Sequence, residues 1–105
     1  MNELREKLLK GMLDLVVLRL IVEKPTHGYE IIITIKKRYR IYLGPSTIYP
    51  MLCDLEKKGY IKSQWNISGR PRKMYAITEK GKTLLGCGQT ELESIVKPLI
   101  QVKVQ

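Results

Sequence analysis

The hydrophobic period of this chain changes once and then changes back, which leaves few folds open. From Leu4 to Leu55 apolar residues recur at three- and four-residue spacing, the mark of helices with a buried stripe. Over Tyr60–Ile67 the period drops to two, with Ile61, Trp65 and Ile67 set against Lys62, Gln64 and Asn66. Ser68-Gly69-Arg70-Pro71 supplies turn chemistry, and Arg72–Ile77 returns as a second strand. After Thr78 helical spacing resumes through Leu84 and Leu85. A lone two-stranded hairpin is marginal in water, so this one must lean on the helices around it. The fold class is therefore α+β, mainly α: three helices, one hairpin and a final helix.

Punctuation bounds the helices. Leu4, Leu8, Met12, Leu15, Leu18 and Val22 form one stripe, and Leu9, Leu13, Val16, Val17, Leu20 and Ile21 widen it nearly all the way round. This predicts one continuous Leu4–Val22 helix buried on two sides, one against its own fold and one against a second subunit. Pro25 closes it. Thr26-His27-Gly28 opens a second helix over 27–39, with Ile31, Ile32 and Ile35 inside. Its end is crowded by Lys36, Lys37, Arg38 and Arg40, which suits the macrodipole without any ligand. After Leu43-Gly44-Pro45 a third helix spans 46–58, with Ser46 or Thr47 as N-cap and Pro50 confined to the first turn. Ile48, Met51, Leu52 and Leu55 point inward, leaving Ser46, Thr47, Tyr49, Asp54, Lys57 and Lys58 outside; Gly59 ends the helix. Thr78 caps the last helix, which is predicted to be interrupted at Gly86-Cys87-Gly88, where helix propensity is poor, and stopped by Pro98. Ile100, Val102 and Val104 form a short alternating tail.

Charge is placed as unevenly as the periods. The chain carries 19 Lys and Arg against 10 Asp and Glu, a net charge of +9, and all but one of those net charges fall between residues 25 and 85. Such a basic zone is the electrostatic footprint of a polyanion partner. Two helices joined by a short Gly-containing turn make a helix-turn-helix whose second member enters the major groove by its N-terminal residues. A hairpin with a cationic tip beside it reaches phosphates or the minor groove. Three helices followed by such a hairpin is the winged-helix order, although small basic α+β domains also bind RNA or protein.

Five strings carry a more specific resemblance. Gly11-Met-Leu-Asp-Leu-Val-Val-Leu, His27-Gly-Tyr-Glu-Ile, Ser46-Thr-Ile-Tyr-Pro-Met-Leu, Leu55-Glu-Lys-Lys-Gly-Tyr-Ile and Gly69-Arg-Pro-Arg-Lys-Met-Tyr-Ala-Ile-Thr-Glu-Lys-Gly stand in one order over residues 4–85. In that order and spacing the chain resembles the PadR family of bacterial and archaeal winged-helix transcriptional regulators. The resemblance implies a homodimer on double-stranded operator DNA, usually as a repressor, often released by a small-molecule effector. It implies that the first and last helices pair the protomers, which places Leu4, Leu8, Met12, Leu84, Leu92 and Ile95 at the dimer interface. The expected organisation is one domain over 1–105, with a core over 4–78 and a dimerisation helix and tail over 79–105.

The candidate DNA contacts differ in strength. Arg70, Arg72 and Lys73 lead, because three cations around one turn repel each other and strand pairing gains nothing from them. Ser46 and Thr47 offer hydroxyls at a helix N-terminus, suited to a phosphate or to plain capping. Tyr49 and Pro50 belong to the recognition-helix string, and Tyr49 either touches DNA or packs under the wing. Lys36, Lys37 and Arg40 are candidates that the helix end already accounts for. His27 and Tyr29 read as capping and packing rather than as a sensor pair, and Trp65 reads as core. A non-specific architectural nucleic-acid binder and a winged-helix protein-interaction module share these features and remain open.

Other classes find no support in the residues. No Ser/His/Asp set, paired carboxylates, phosphate-binding glycine loop or cofactor signature occurs, so no enzyme is expected. Cys53 and Cys87 form no CxxC pair, and with a single histidine no zinc set can be assembled. No apolar run approaches the roughly 20 residues of a membrane span, and MNELREKLLK reads as an amphipathic helix rather than a leader. A cytoplasmic protein with reduced thiols is expected.

Overall fold

The first apolar stripe folds as two helices, not one. A computed structural model describes residues 2–100, with α1 over Asn2–Gly11, α2 over Leu13–Glu23, α3 over Gly28–Tyr39 and α4 over Pro45–Lys57. Strands β1 (Ile61–Asn66) and β2 (Arg72–Ile77) follow, and then α5 (Glu79–Ile100). The predicted continuous helix breaks at Met12, whose φ of −124° and ψ of 25° leave the helical region. Gly11 weakens the ladder there by about 1 kcal/mol relative to Ala. The break separates two roles. In α2, Leu13, Val16, Val17, Leu18, Leu20 and Ile21 are all buried, whereas α1 buries Leu9 alone.

Helices α3 and α4 keep their predicted inner faces and change at their starts. His27 is the N-cap of α3, with Nδ1 3.3 Å from the Glu30 amide. Helix α4 starts at Pro45, and its N-cap is Gly44 rather than Ser46 or Thr47. The Gly44 carbonyl accepts from the amides of both Thr47 and Ile48 at 3.0 Å, and Pro45 has no N–H to satisfy. Pro50 therefore falls in the second turn, not the first. Its missing N–H forfeits a bond to the Ser46 carbonyl, on an exposed face where water replaces it. Ile48, Leu52 and Leu55 hold the helix in place from the buried side.

The hairpin pairs antiparallel in the register Ile61↔Ile77 to Asn66↔Arg72. Its turn uses Gly69 at φ 76° and a bond from the Ser68 amide to the Asn66 side chain. Support for it comes from an unforeseen third segment. The Thr26 amide donates to the Tyr75 carbonyl at 3.1 Å, and the Tyr75 amide donates back to Thr26 at 2.7 Å. That bridge ties β2 to the α2–α3 connection and buries both residues. Beyond it the hairpin projects away from the core. Trp65, expected inside, is 61% exposed, and Ile67 is exposed as well. The alternation is real, but no helix lies under its outer half.

Helix α5 corrects the expected interruption. It runs unbroken through Gly86-Cys87-Gly88 and past Pro98. Gly88 is a crossing point: a Cβ there would overlap Leu15 of α2, 2.9 Å from Cδ1 and closer still to Cδ2. The helix start is held by the Thr78 hydroxyl, which accepts from the Gly81 amide at 3.1 Å and donates to the Gly59 carbonyl at 2.6 Å. The end of the predicted apolar tail, Val102 and Val104, lies outside the described residues. Helices α1–α4 with the hairpin and α5 make a winged helix-turn-helix with a long last helix.

Candidate nucleic-acid interface

The chemistry-bearing side chains gather where the wing passes the starts of α3 and α4. Gly28, in the first turn of α3, admits the Tyr49 ring of α4, whose Cε1 would lie 2.6 Å from a Cβ at that position. The exposed Tyr29 ring lies parallel to the His27 imidazole, 3° between planes and 6.5 Å between centroids. From the wing, Arg72 reaches back to place Nη1 2.7 Å from His27 Nε2. Lys73 lies opposite Trp65 in the ladder, with its ammonium 6.0 Å from the ring centroid, within cation–π reach. Together with Arg70, Pro71 and Tyr75 these residues line an open cleft of about 750 Å³. Cations stand along the wing side, and aromatic rings form the rest.

Two titrating groups mark its floor and edge. Burial, then the nearby Glu56 carboxylate, pushes the Tyr75 phenol above its usual value and keeps it protonated. Desolvation, then the Arg72 guanidinium, lowers the His27 pKa, against a smaller opposing pull from Glu30. The imidazole is thereby held neutral.

The expected contact residues divide between this cleft and its surroundings. Tyr49, Arg70, Arg72 and Lys73 are brought together in it. Ser46 and Pro50 are exposed on the first turns of α4, and Thr47 is half-buried beside them. With the Thr47 and Ile48 amides bonded to Gly44, that turn offers an anion chiefly the Ser46 amide and two hydroxyls. Lys36 and Lys37 are exposed in the last turn of α3 and Arg40 just beyond it, none of them lining the cleft. His27 caps as expected, but Tyr29 does not pack inside. Tyr29 and Trp65 are cleft residues that reading by apolar period misassigned; the sign available for Trp65 was its place beside the basic turn.

The dimer candidates lie on a different surface. Leu4, Leu8, Met12, Leu15 and Leu92 line an apolar groove of about 520 Å³ along α1, α2 and α5. A second groove, also about 520 Å³, is lined by Met12, Leu15, Leu84, Leu92 and Ile95 among others. Leu8 is 58% exposed and Ile95 65%. Cys53 and Cys87 are both free and exposed. Among the described residues no His/Cys/Asp/Glu group of three or more is placed to hold a metal, and no helix is long and apolar enough to cross a membrane.

A family model described as the transcriptional regulator PadR-like family matches residues 17–86. The chain belongs to that family. It is 38% identical over 85 residues to an uncharacterized protein of Lysinibacillus sphaericus, covering 77% of this chain and 78% of that one. The fold is similar to that of a PadR family transcription regulator from Clostridium difficile, with a TM-score of 0.79 at 32% identity, covering 87% of this chain and 97% of the other. A PadR family regulator from Eggerthella lenta gives 0.81 at 26% identity, with 92% and 82% covered. A PadR-like regulator from Bacillus cereus gives 0.77 at 27%, with 92% and 99% covered. The chain is thus a PadR-like transcriptional regulator, a class whose work is not catalysis.

Proposed function

We propose that this PadR-like chain binds DNA sequence-specifically as a cytoplasmic homodimer and represses transcription from a pseudo-palindromic operator. The observation that carries this reading is the convergence of Arg70, Arg72 and Lys73 with Tyr49 of α4 in one cleft. The recognition helix and the wing therefore share a surface, as readout of a groove and its flanking phosphates requires. In this reading Ser46, Thr47 and Tyr49 meet base edges or the nearest phosphate, the wing cations grip the backbone, and Lys36, Lys37 and Arg40 add longer-range attraction.

Selection of bound sites from a random DNA pool tests it. The expected motif has two half-sites one helical turn apart, about 34 Å between recognition helices, and transcription in vitro from a promoter carrying it falls when the protein is added. Equal affinity for the selected motif and for random DNA of the same length would overturn specificity and leave an architectural binder.

The partner for the α1–α5 grooves is a second copy. Their exposed leucines and isoleucine, on helices of nearly balanced charge, match the apolar make-up of homodimer interfaces. At about 520 Å³ the first groove is also in the size range of small-molecule sites, which makes it the place for an effector. Leu8→Glu combined with Ile95→Glu is expected to raise the dimer dissociation constant at least about 100-fold, since burying unpaired carboxylates is costly. Sedimentation should then show monomers that keep the helical spectrum of the wild type. An unchanged dimer would place the interface elsewhere.

A further inference from the structure

His27 carries two contacts that one neutral imidazole cannot make together. Nδ1 stands 3.3 Å from the Glu30 amide, and Nε2 stands 2.7 Å from Arg72 Nη1. Both neighbours are donors, so each contact needs a lone pair on the ring nitrogen it meets. A neutral imidazole has one lone pair and one N–H, and an imidazolium has no lone pair at all. Only one contact is a hydrogen bond at a time. The Arg72 contact is the shorter, and its donor is a cation, which makes such a bond about twice as strong as a neutral one. The choice matters because His27 is the N-cap of α3 while Arg72 opens β2, 45 positions along the chain.

We propose that His27 is a positioning residue for the wing: its Nε2 lone pair holds the Arg72 guanidinium at the mouth of the cleft, and that grip is exchanged for the α3 cap when a phosphate takes the arginine. The proposal rests on the DNA-binding reading above. In the free protein the proton sits on Nδ1, Nε2 accepts from Arg72, and the exposed Glu30 amide turns to water. When Arg72 moves onto a phosphate oxygen, solvent carries the proton from Nδ1 to Nε2, and Nδ1 accepts from Glu30. The proton count is unchanged, and the completed cap offsets part of the cost of withdrawing Arg72. One imidazole thereby couples the aim of the wing to the first turn of the helix-turn-helix.

The surroundings favour a neutral ring. Glu30 and Tyr29 face it from α3, Tyr49 from α4, and Arg70, Arg72, Lys73 and Tyr75 from the wing. Three of these are cations and one is a carboxylate, and the ring is partly desolvated, so protonation is disfavoured. The folded pKa lies below the unfolded one. The linked stability is therefore present above the ordinary imidazole value and is lost as pH falls through the folded value.

Nitrogen-15 NMR of the imidazole in the whole chain tests the joint without DNA. The wild type is expected to show the Nδ1–H tautomer and a midpoint below the ordinary histidine value. Arg72→Ala should give the Nε2–H tautomer and a midpoint moved part-way up, since desolvation remains. The same tautomer and midpoint in both proteins would overturn the proposal. On the selected operator His27→Asn supplies the second test, because Asn retains a cap acceptor for Glu30 but is too short to reach Arg72. It should weaken binding roughly three- to tenfold where Arg72 is present and not at all in the Arg72→Ala background. Equal losses in both backgrounds would also overturn the proposal. A chain that binds no DNA sinks the functional reading and the phosphate exchange with it, while the tautomer result still decides whether the joint exists.

Discussion

Replacing Arg70, Arg72 and Lys73 together by Ala is expected to weaken operator binding about 100-fold at physiological salt while leaving the fold intact. The magnitude follows from counterion release. Each phosphate neutralised contributes about 0.9 to the slope of log affinity against log salt, so three lost contacts remove between two and three units of slope. Carried from 1 M down to about 0.15 M salt, that difference amounts to roughly 10² in affinity. Stability should hold, because the three cations stand within four positions of each other on exposed turn and strand ends, and their removal relieves repulsion. Only Lys73 has a packing role, its stem covering Trp65. Anisotropy titrations at several salt concentrations check the prediction. An unchanged slope would mean that the wing does not meet phosphate, which would move the electrostatic footprint to Lys36, Lys37 and Arg40. Loss should be nearly uniform across DNA sequences, since phosphate contacts carry no base information.

Gly81→Ala is expected to cost about 3 kcal/mol, at the upper end of what overpacking does. A Cβ at this position would strike the Tyr60 carbonyl oxygen and lie 2.7 Å from Ile77 Cγ1. Both obstacles belong to the root of the wing, and the nearer one is backbone, so no rotamer change gives way. Nor can the helix simply tilt. The Thr78 cap holds it on one side, and the Lys80 ammonium donates to the Lys58 carbonyl at 2.7 Å on the other. Relief therefore means shifting α5 off the hairpin, which would also move the wing against α4. For a domain of this length such a loss lowers the Tm by roughly 10–20 °C, a large share of a total stability of about 5–15 kcal/mol. Gly86→Ala, one turn and a residue further on, is the opposite case. Nothing lies within 4 Å of its Cβ position, so helix propensity alone acts and should stabilise by about 0.5–1 kcal/mol. Thermal melts of the two variants should move in opposite directions. Equal shifts would mean that α5 does not cross the wing root as described.

The errors of sequence reading share one cause. Gly86-Cys87-Gly88 was expected to interrupt the last helix because propensity counts only the chain's own backbone entropy. The structure shows what the glycine at 88 does instead: it lets α5 lie against Leu15, and that crossing outweighs the local cost. Trp65 was expected inside because alternation marks a face without saying whether anything covers it. The Thr26–Tyr75 bridge stops short of the wing's outer half, so the same alternating residues go from buried Ile61 to exposed Trp65. Tyr29 follows the same logic, an aromatic beside a cap that turns out to wall a cleft.

Residue spacing alone determined the order of elements, the inner faces of α3 and α4, the hairpin and its cationic turn, and the resemblance to PadR regulators. These are local properties: periodicity, turn chemistry and charge placement are written within a few residues of one another. Tertiary structure alone decided that the first stripe breaks at Met12, that α5 runs through its glycines, and that Trp65 and Tyr29 face the same cleft as Arg72. It alone brought His27 within hydrogen-bond reach of Arg72. Those outcomes depend on which surfaces approach at long sequence separation, where a missing Cβ or a single lone pair outweighs the preference of the segment that carries it.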